Sequence, residues 1–281
     1  MSQADNPFAP GQSEVGERAE HERVDLLEPV PMDVGEILTR CFEVFSNNVG
    51  VVLAAMGAII GPGLVFGASG FAIDMMAEAM TGDTQLLLQL LSVGNSLLQQ
   101  LVALFFTLGA TRVFIHVTRG QDAHVGMIVG EAGSYLPALG AQILIGLAAM
   151  VTLAPGFIAF GAASAGAMSM ESGAVMLLVN VTLMAIPAVV VATGLLFVNY
   201  VIVDRGVGPI EAMKESWRLT DGYKMTVFFV LMMAGVLLLV ASCLTLGIGY
   251  LFLAPAVLLM EGVMYHSLTH YQGLIDDPWK A

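Results

Sequence analysis

Glu261 is the residue in this chain best placed to do chemistry. It falls near the centre of an apolar run spanning about 251–269. A charged carboxylate in the middle of a membrane span costs roughly 2.5 kcal/mol or more. Such an acid must face protein, keep its proton or find a partner. Arg112 is the one basic residue set inside an apolar run, about two turns from the end of that run. His266 and His270 follow Glu261, four positions apart, and so share one helix face. One reading pairs Glu261 with Arg112 and lets His266 line a polar cavity. The other gives them a purely architectural role: an ion pair, or a neutral acid hydrogen-bonded to an amide such as Asn95 or Gln99. Polar side chains also hold helices together in membranes, so both readings stand.

Other chemistries lack their residues. The five histidines (His21, His116, His124, His266, His270) show no HExxH and no clustered ligand spacing, so no metal is predicted. No GxSxG elbow, GxGxxG turn or Walker loop occurs, so no cofactor is predicted. Cys41 and Cys243 are too few and too far apart for a disulfide framework. The 18 methionines are scattered through apolar runs and read as packing. With no set of acid, base and nucleophile, the chain reads as a non-enzyme.

The elements that must position these residues follow from composition. The 281 residues are 57% hydrophobic and 12% charged, against about 45–50% and about 25% in globular chains. A soluble core cannot hide so much apolar surface, and membrane lipid must be part of the solvent. The net charge of −13 excludes nucleic acid as a partner, because phosphate contacts need clustered Lys and Arg. Residues 1–31 form an acidic, proline-broken tail that reads as disordered. Residues 32–273 hold six apolar runs, predicted as an all-α polytopic bundle of six transmembrane helices. Residues 274–281 are a short polar tail.

Each pair of runs is preceded by a polar stretch with helical periodicity. The longest is Asp204–Lys224, in which Ile210, Met213 and Trp217 share a face, with Leu219 near it. It reads as a short amphipathic helix at the membrane surface with Trp217 at headgroup depth. Similar stretches begin near Asp33, a predicted N-cap followed by Glu36, and near Ala123. Aligning Ile37, Ile128 and Ile210 brings Val44, Tyr135 and Trp217 to one offset, making Tyr135 a second surface anchor. The chain therefore reads as three parallel repeats, about 32–118, 122–204 and 205–272. Gly61-Pro62-Gly63 is expected to kink or end the first span, and Ala154-Pro155-Gly156 echoes it in the third. All ten Lys and Arg fall in the N-terminus, the links near 118–136 and 204–224, the C-terminus or the span ends beside them. Lys/Arg bias sets orientation, so both termini and the three surface helices are expected on the cytoplasmic side of the inner membrane.

VGEILTRCFEVFSNNVGVVLAAMGAIIGP near the start, VIVDRGVGPIEAMKESWRLTDGYK and the closing VMYHSLTHYQGLIDD together carry a resemblance. Over roughly 32–277 the chain resembles a bacterial membrane family found alone and fused to some glycerophosphodiester phosphodiesterases. Members typically read Gly-Pro, an Ala-rich turn, Ser-Trp and a Gly in the second motif. In the third they carry Tyr and then Asp-Leu-Arg, where this chain has His266 to His270. The phosphodiesterase's catalytic barrel is absent, so its activity is not implied. The expected function is an inner-membrane accessory or scaffold protein linked to lipid or envelope homeostasis. Its expected partners are membrane lipids and a protein partner or a second copy. The alternative is a small-solute or lipid transporter with a polar cavity around Glu261.

Overall fold

A computed structural model describes residues 31–164, 185, 188–246 and 248–271, and among these the ordered elements are all helical. Helix α1 is Val34–Asn47, α2 Val49–Ala79 and α3 Asp83–Thr118. A 3-10 turn, Val125–Val129, precedes α4, Ala132–Ser164. The segment Ala188–Arg205 breaks at a turn over 195–197, and its second part is α5, Val198–Arg205. Then come α6, Pro209–Leu219, α7, Lys224–Leu244, and α8, Ile248–Tyr271. The acidic tail and the C-terminal tail lie outside the described residues, apart from residue 31.

Five segments are long and apolar enough to cross a membrane: α2, α3, the first part of α4, Ala188–Arg205 and α7. This marks a membrane protein. Protein covers 56% of the most apolar window of α3 and 44% of that in Ala188–Arg205. It covers only 11–17% of the windows in α2, α4 and α7. The first two are inner elements and the other three are outer ones. α8, 24 residues long, is outside these five. It lies at the core: Leu259, Met264, Tyr265 and Leu268 are fully buried, and α7, α1, α3 and α2 pack around it.

α1 forms as its periodicity predicts. Asp33 caps it by accepting a bond from the Gly35 amide (2.9 Å), and it ends at Asn47 with Asn48 as C-cap. Ile37, Cys41 and Val44 make its buried face, and the Cys41 thiol donates to the Ala256 carbonyl of α8 (2.7 Å). The expected early end of the first span does not occur. α2 is one continuous helix of 31 residues with Pro62 inside it. Only residues 80–82 separate it from α3, because Asp74 and Glu78 continue the helix. Asn95 does not meet Glu261; from α3 it donates to the Phe66 carbonyl of α2 (2.9 Å) and accepts from Ser69 (2.9 Å), holding the two helices together.

The second surface stretch is a 3-10 turn and not an α-helix. Gly126 lies within it and Gly130 follows it, and it packs on α3. A Cβ at Gly109 would lie 1.9 Å from the Ile128 carbonyl oxygen, so only glycine lets this turn cross there. α4 therefore starts beside the middle of α3 and not beside its end.

α6 also differs in detail. Its buried face is Ala212, Ser216 and Leu219, while Ile210 (60% exposed) and Trp217 (41%) lie on its outer flank. The Ser216 hydroxyl donates to the Gly194 carbonyl (2.9 Å) and accepts from the Phe197 amide (3.2 Å). It thus satisfies the backbone groups freed at the 195–197 turn. The Trp217 ring lies on Gly194, where a Cβ would come within 2.4 Å of it.

Candidate functional site

The polar groups gather at the end of the bundle that carries α6. Arg119, just past the C-terminus of α3, makes two parallel bonds to Asp204 of α5, at 2.7 and 2.8 Å. The Tyr265 hydroxyl of α8 donates to the same carboxylate at 2.8 Å. Both charged side chains are about four-fifths covered, so the fork is held in a low-dielectric setting where such bonds are strong. Burial alone would lower the proton affinity of Arg119. The hydrogen bonds and charge of Asp204 outweigh that, and hold the guanidinium above its ordinary value. The rings of Phe197, Tyr200 and Tyr265 meet in edge-on and tilted contacts with centroids 5.4–6.2 Å apart. A second pair, Arg205–Glu215, ties α5 to α6, and Arg218 reaches the same Glu215 at 3.4 Å.

The predicted site residues separate. Arg112 pairs with Glu131, the residue before α4, at 2.9 Å, and no Glu261–Arg112 pair forms. The reason is the turn crossing Gly109, which brings Glu131 beside α3 at this level. Glu261 is half-buried and makes no hydrogen bond or ion pair with another described residue. It lies within electrostatic reach of the Tyr200 hydroxyl. It also adjoins Gly262, where a Cβ would stand 3.2 Å from Thr118 of α3. His266, the residue after Tyr265, is half-buried, and His270 is exposed. Trp217 meets Lys224, whose ammonium sits 4.6 Å from the ring centre, a cation–π contact. Tyr135 donates its hydroxyl to the Leu101 carbonyl of α3 at 3.1 Å. Among the described residues no group of three His, Cys, Asp or Glu is placed to hold a metal.

Sequence reasoning missed the Arg119–Asp204–Tyr265 knot. The signal available was weak: a cation and an anion at the ends of two different apolar runs, which only the fold brings together. A family model for a protein of unknown function (DUF975) matches residues 46–272. The chain belongs to this DUF975 family. The match takes in every residue of the knot, Glu261 and the Ser216–Trp217 pair, and leaves out most of α1. No curated protein and no solved structure matches the chain.

Proposed function

We propose that this DUF975 protein is a non-enzymatic accessory or scaffold protein of the inner membrane, linked to lipid or envelope homeostasis. In this reading α8 is a sixth span, α6 is a surface helix, and the charged end of the bundle faces the cytoplasm with both termini. The observation that carries the reading is the Arg119–Asp204–Tyr265 knot. Its charges brace three elements against one another at one end of the bundle and do not line a path across it. A rigid base of this kind suits a platform that presents α6 to a partner. Lys/Arg bias supports the orientation. The three-repeat reading is supported by the shared Val44, Tyr135 and Trp217 offset.

A pull-down of the full chain in mild detergent tests the scaffold. A stoichiometric protein partner, lost when Lys214 and Arg218 on the exposed side of α6 are reversed in charge, is expected. Absence of any partner, together with solute-dependent thermal stabilisation, would turn the assignment to transport. One observation favours that second reading: Glu261 is left without an ionic partner among the described residues. Glu261→Gln separates the two. Transport would be abolished in the folded variant, whereas partner capture would be unchanged. Orientation is tested by Gly249→Cys, expected to react with an impermeant maleimide from outside the cell. Labelling only from within would overturn the proposed topology.

A further inference from the structure

The α3–α4 boundary holds a groove that the scaffold reading does not use. It has a volume of about 340 Å³ and is lined by Leu101, Val102, Phe105, Ala132 and Tyr135. It exists because the turn crossing Gly109 starts α4 beside the middle of α3. Tyr135 pins the two helices through Leu101, and its ring lies 6.2 Å from that of Phe105. The volume is at the small end of the range for ligand pockets, about 300–1,000 Å³, and suits one apolar chain.

The mouth of this groove is charged. Arg112 lies about two turns beyond Phe105 and about three beyond Leu101, on the same face of α3. Its side chain is 42% exposed while it pairs with Glu131 at 2.9 Å. Glu131 directly precedes the lining residue Ala132, and its second oxygen accepts from Ser134 at 3.0 Å. An apolar trough ending in one cation beside one anion is complementary to a tail ending in a zwitterion. A singly charged headgroup would meet a like charge at this mouth. A phosphate beside Arg112 with an ammonium beside Glu131 meets two opposite ones. A primary ammonium can also donate hydrogen bonds to the carboxylate, which a trimethylated one cannot.

We propose that the α3–α4 groove binds one phospholipid bearing a phosphoethanolamine headgroup, with an acyl chain in the trough lined by Leu101, Phe105 and Tyr135 and its headgroup across the Arg112–Glu131 pair. The proposal needs only that this flank of the bundle faces lipid, and it stands whether or not a protein partner is found. The test is native mass spectrometry of the full-length protein, released from detergent containing equal amounts of phosphatidylethanolamine, phosphatidylcholine and phosphatidylglycerol with identical chains. One retained lipid is expected, with ethanolamine favoured over choline about tenfold. Glu131→Gln is expected to abolish that preference while leaving retention of a lipid, because the groove is intact. Ala132→Trp fills the groove and is expected to abolish retention, with thermal unfolding and gel filtration as checks on its fold. Equal retention of the three lipids by the wild type, or an unchanged ethanolamine preference in Glu131→Gln, would overturn the proposal. If Ala132→Trp does not fold, the Glu131→Gln comparison decides it alone.

Discussion

Asp204 illustrates how a single side chain carries structure here. It accepts from Arg119 twice and from Tyr265 once, so every variant at this cluster leaves a covered polar group without its match. Tyr265→Phe removes one charge-assisted bond and is expected to lower stability by about 1.5–3 kcal/mol. Asp204→Asn leaves the Arg119 charge uncompensated and should cost more, on the order of 3 kcal/mol. Thermal unfolding in detergent checks both, and a wild-type melting temperature for Asp204→Asn would refute the bracing role. Cys41 makes a different prediction. Its thiol is 1% exposed and bonded to Ala256, and burial pushes its pKa from 9.0 up to about 12. The thiolate is the reactive form. On a Cys243→Ala background, Cys41 should therefore resist maleimide at pH 8 in the native protein and react once denatured. The linkage has a definite sign. The unfolded thiol ionises near 9 and the folded one near 12, so the folded state is favoured fully below pH 9. That advantage is lost as pH rises from 9 to 12. Cys41→Ala should flatten this part of the stability profile.

Among the elements, α6 depends most on a neighbour. It is held by Ser216 on the broken backbone of the preceding span and by Trp217 on Gly194. Gly194→Val would place carbon where the indole lies. It is expected to release α6, seen as faster proteolysis at Lys214 and Arg218 with the spans intact. Protection equal to the wild type would show that the ring contact is dispensable. The α2–α3 hairpin depends instead on an amide. Asn95→Leu removes both bonds that Asn95 makes across the hairpin, to the Phe66 carbonyl and from Ser69, for an expected loss of about 1 kcal/mol, in line with interhelical bonds in membranes. These elements also show what was readable in advance. The start of α1 was legible, because the Asp33 cap is a local signal. At Pro62 the sequence left a kink or an early end open, and the early end does not occur. One lost backbone bond can be tolerated in a long apolar helix flanked by α3, and no sequence window contains that neighbour. The 3-10 turn was misjudged for the same reason: its form answers to Gly109, nearly twenty residues upstream.

For the whole molecule, lipid is the solvent that composition demands. Alkaline carbonate washing is expected to leave the protein in the membrane pellet, and its release into the soluble fraction would overturn the membrane assignment. That assignment is a sum over many residues, each adding transfer free energy regardless of its neighbours, so the amino-acid sequence alone determined it. The same holds for the helical class, the cap of α1 and the clustering of cations at one end. Tertiary structure alone decided which charges meet. Arg119, Asp204 and Tyr265 are separated by 61 residues or more, and Arg112 faces Glu131 in place of Glu261. Pairing depends on distance and direction to within about an ångström, and those are set by how helices cross. Composition and periodicity carry no information about such crossings until glycines such as Gly109 and Gly194 let two backbones or rings touch.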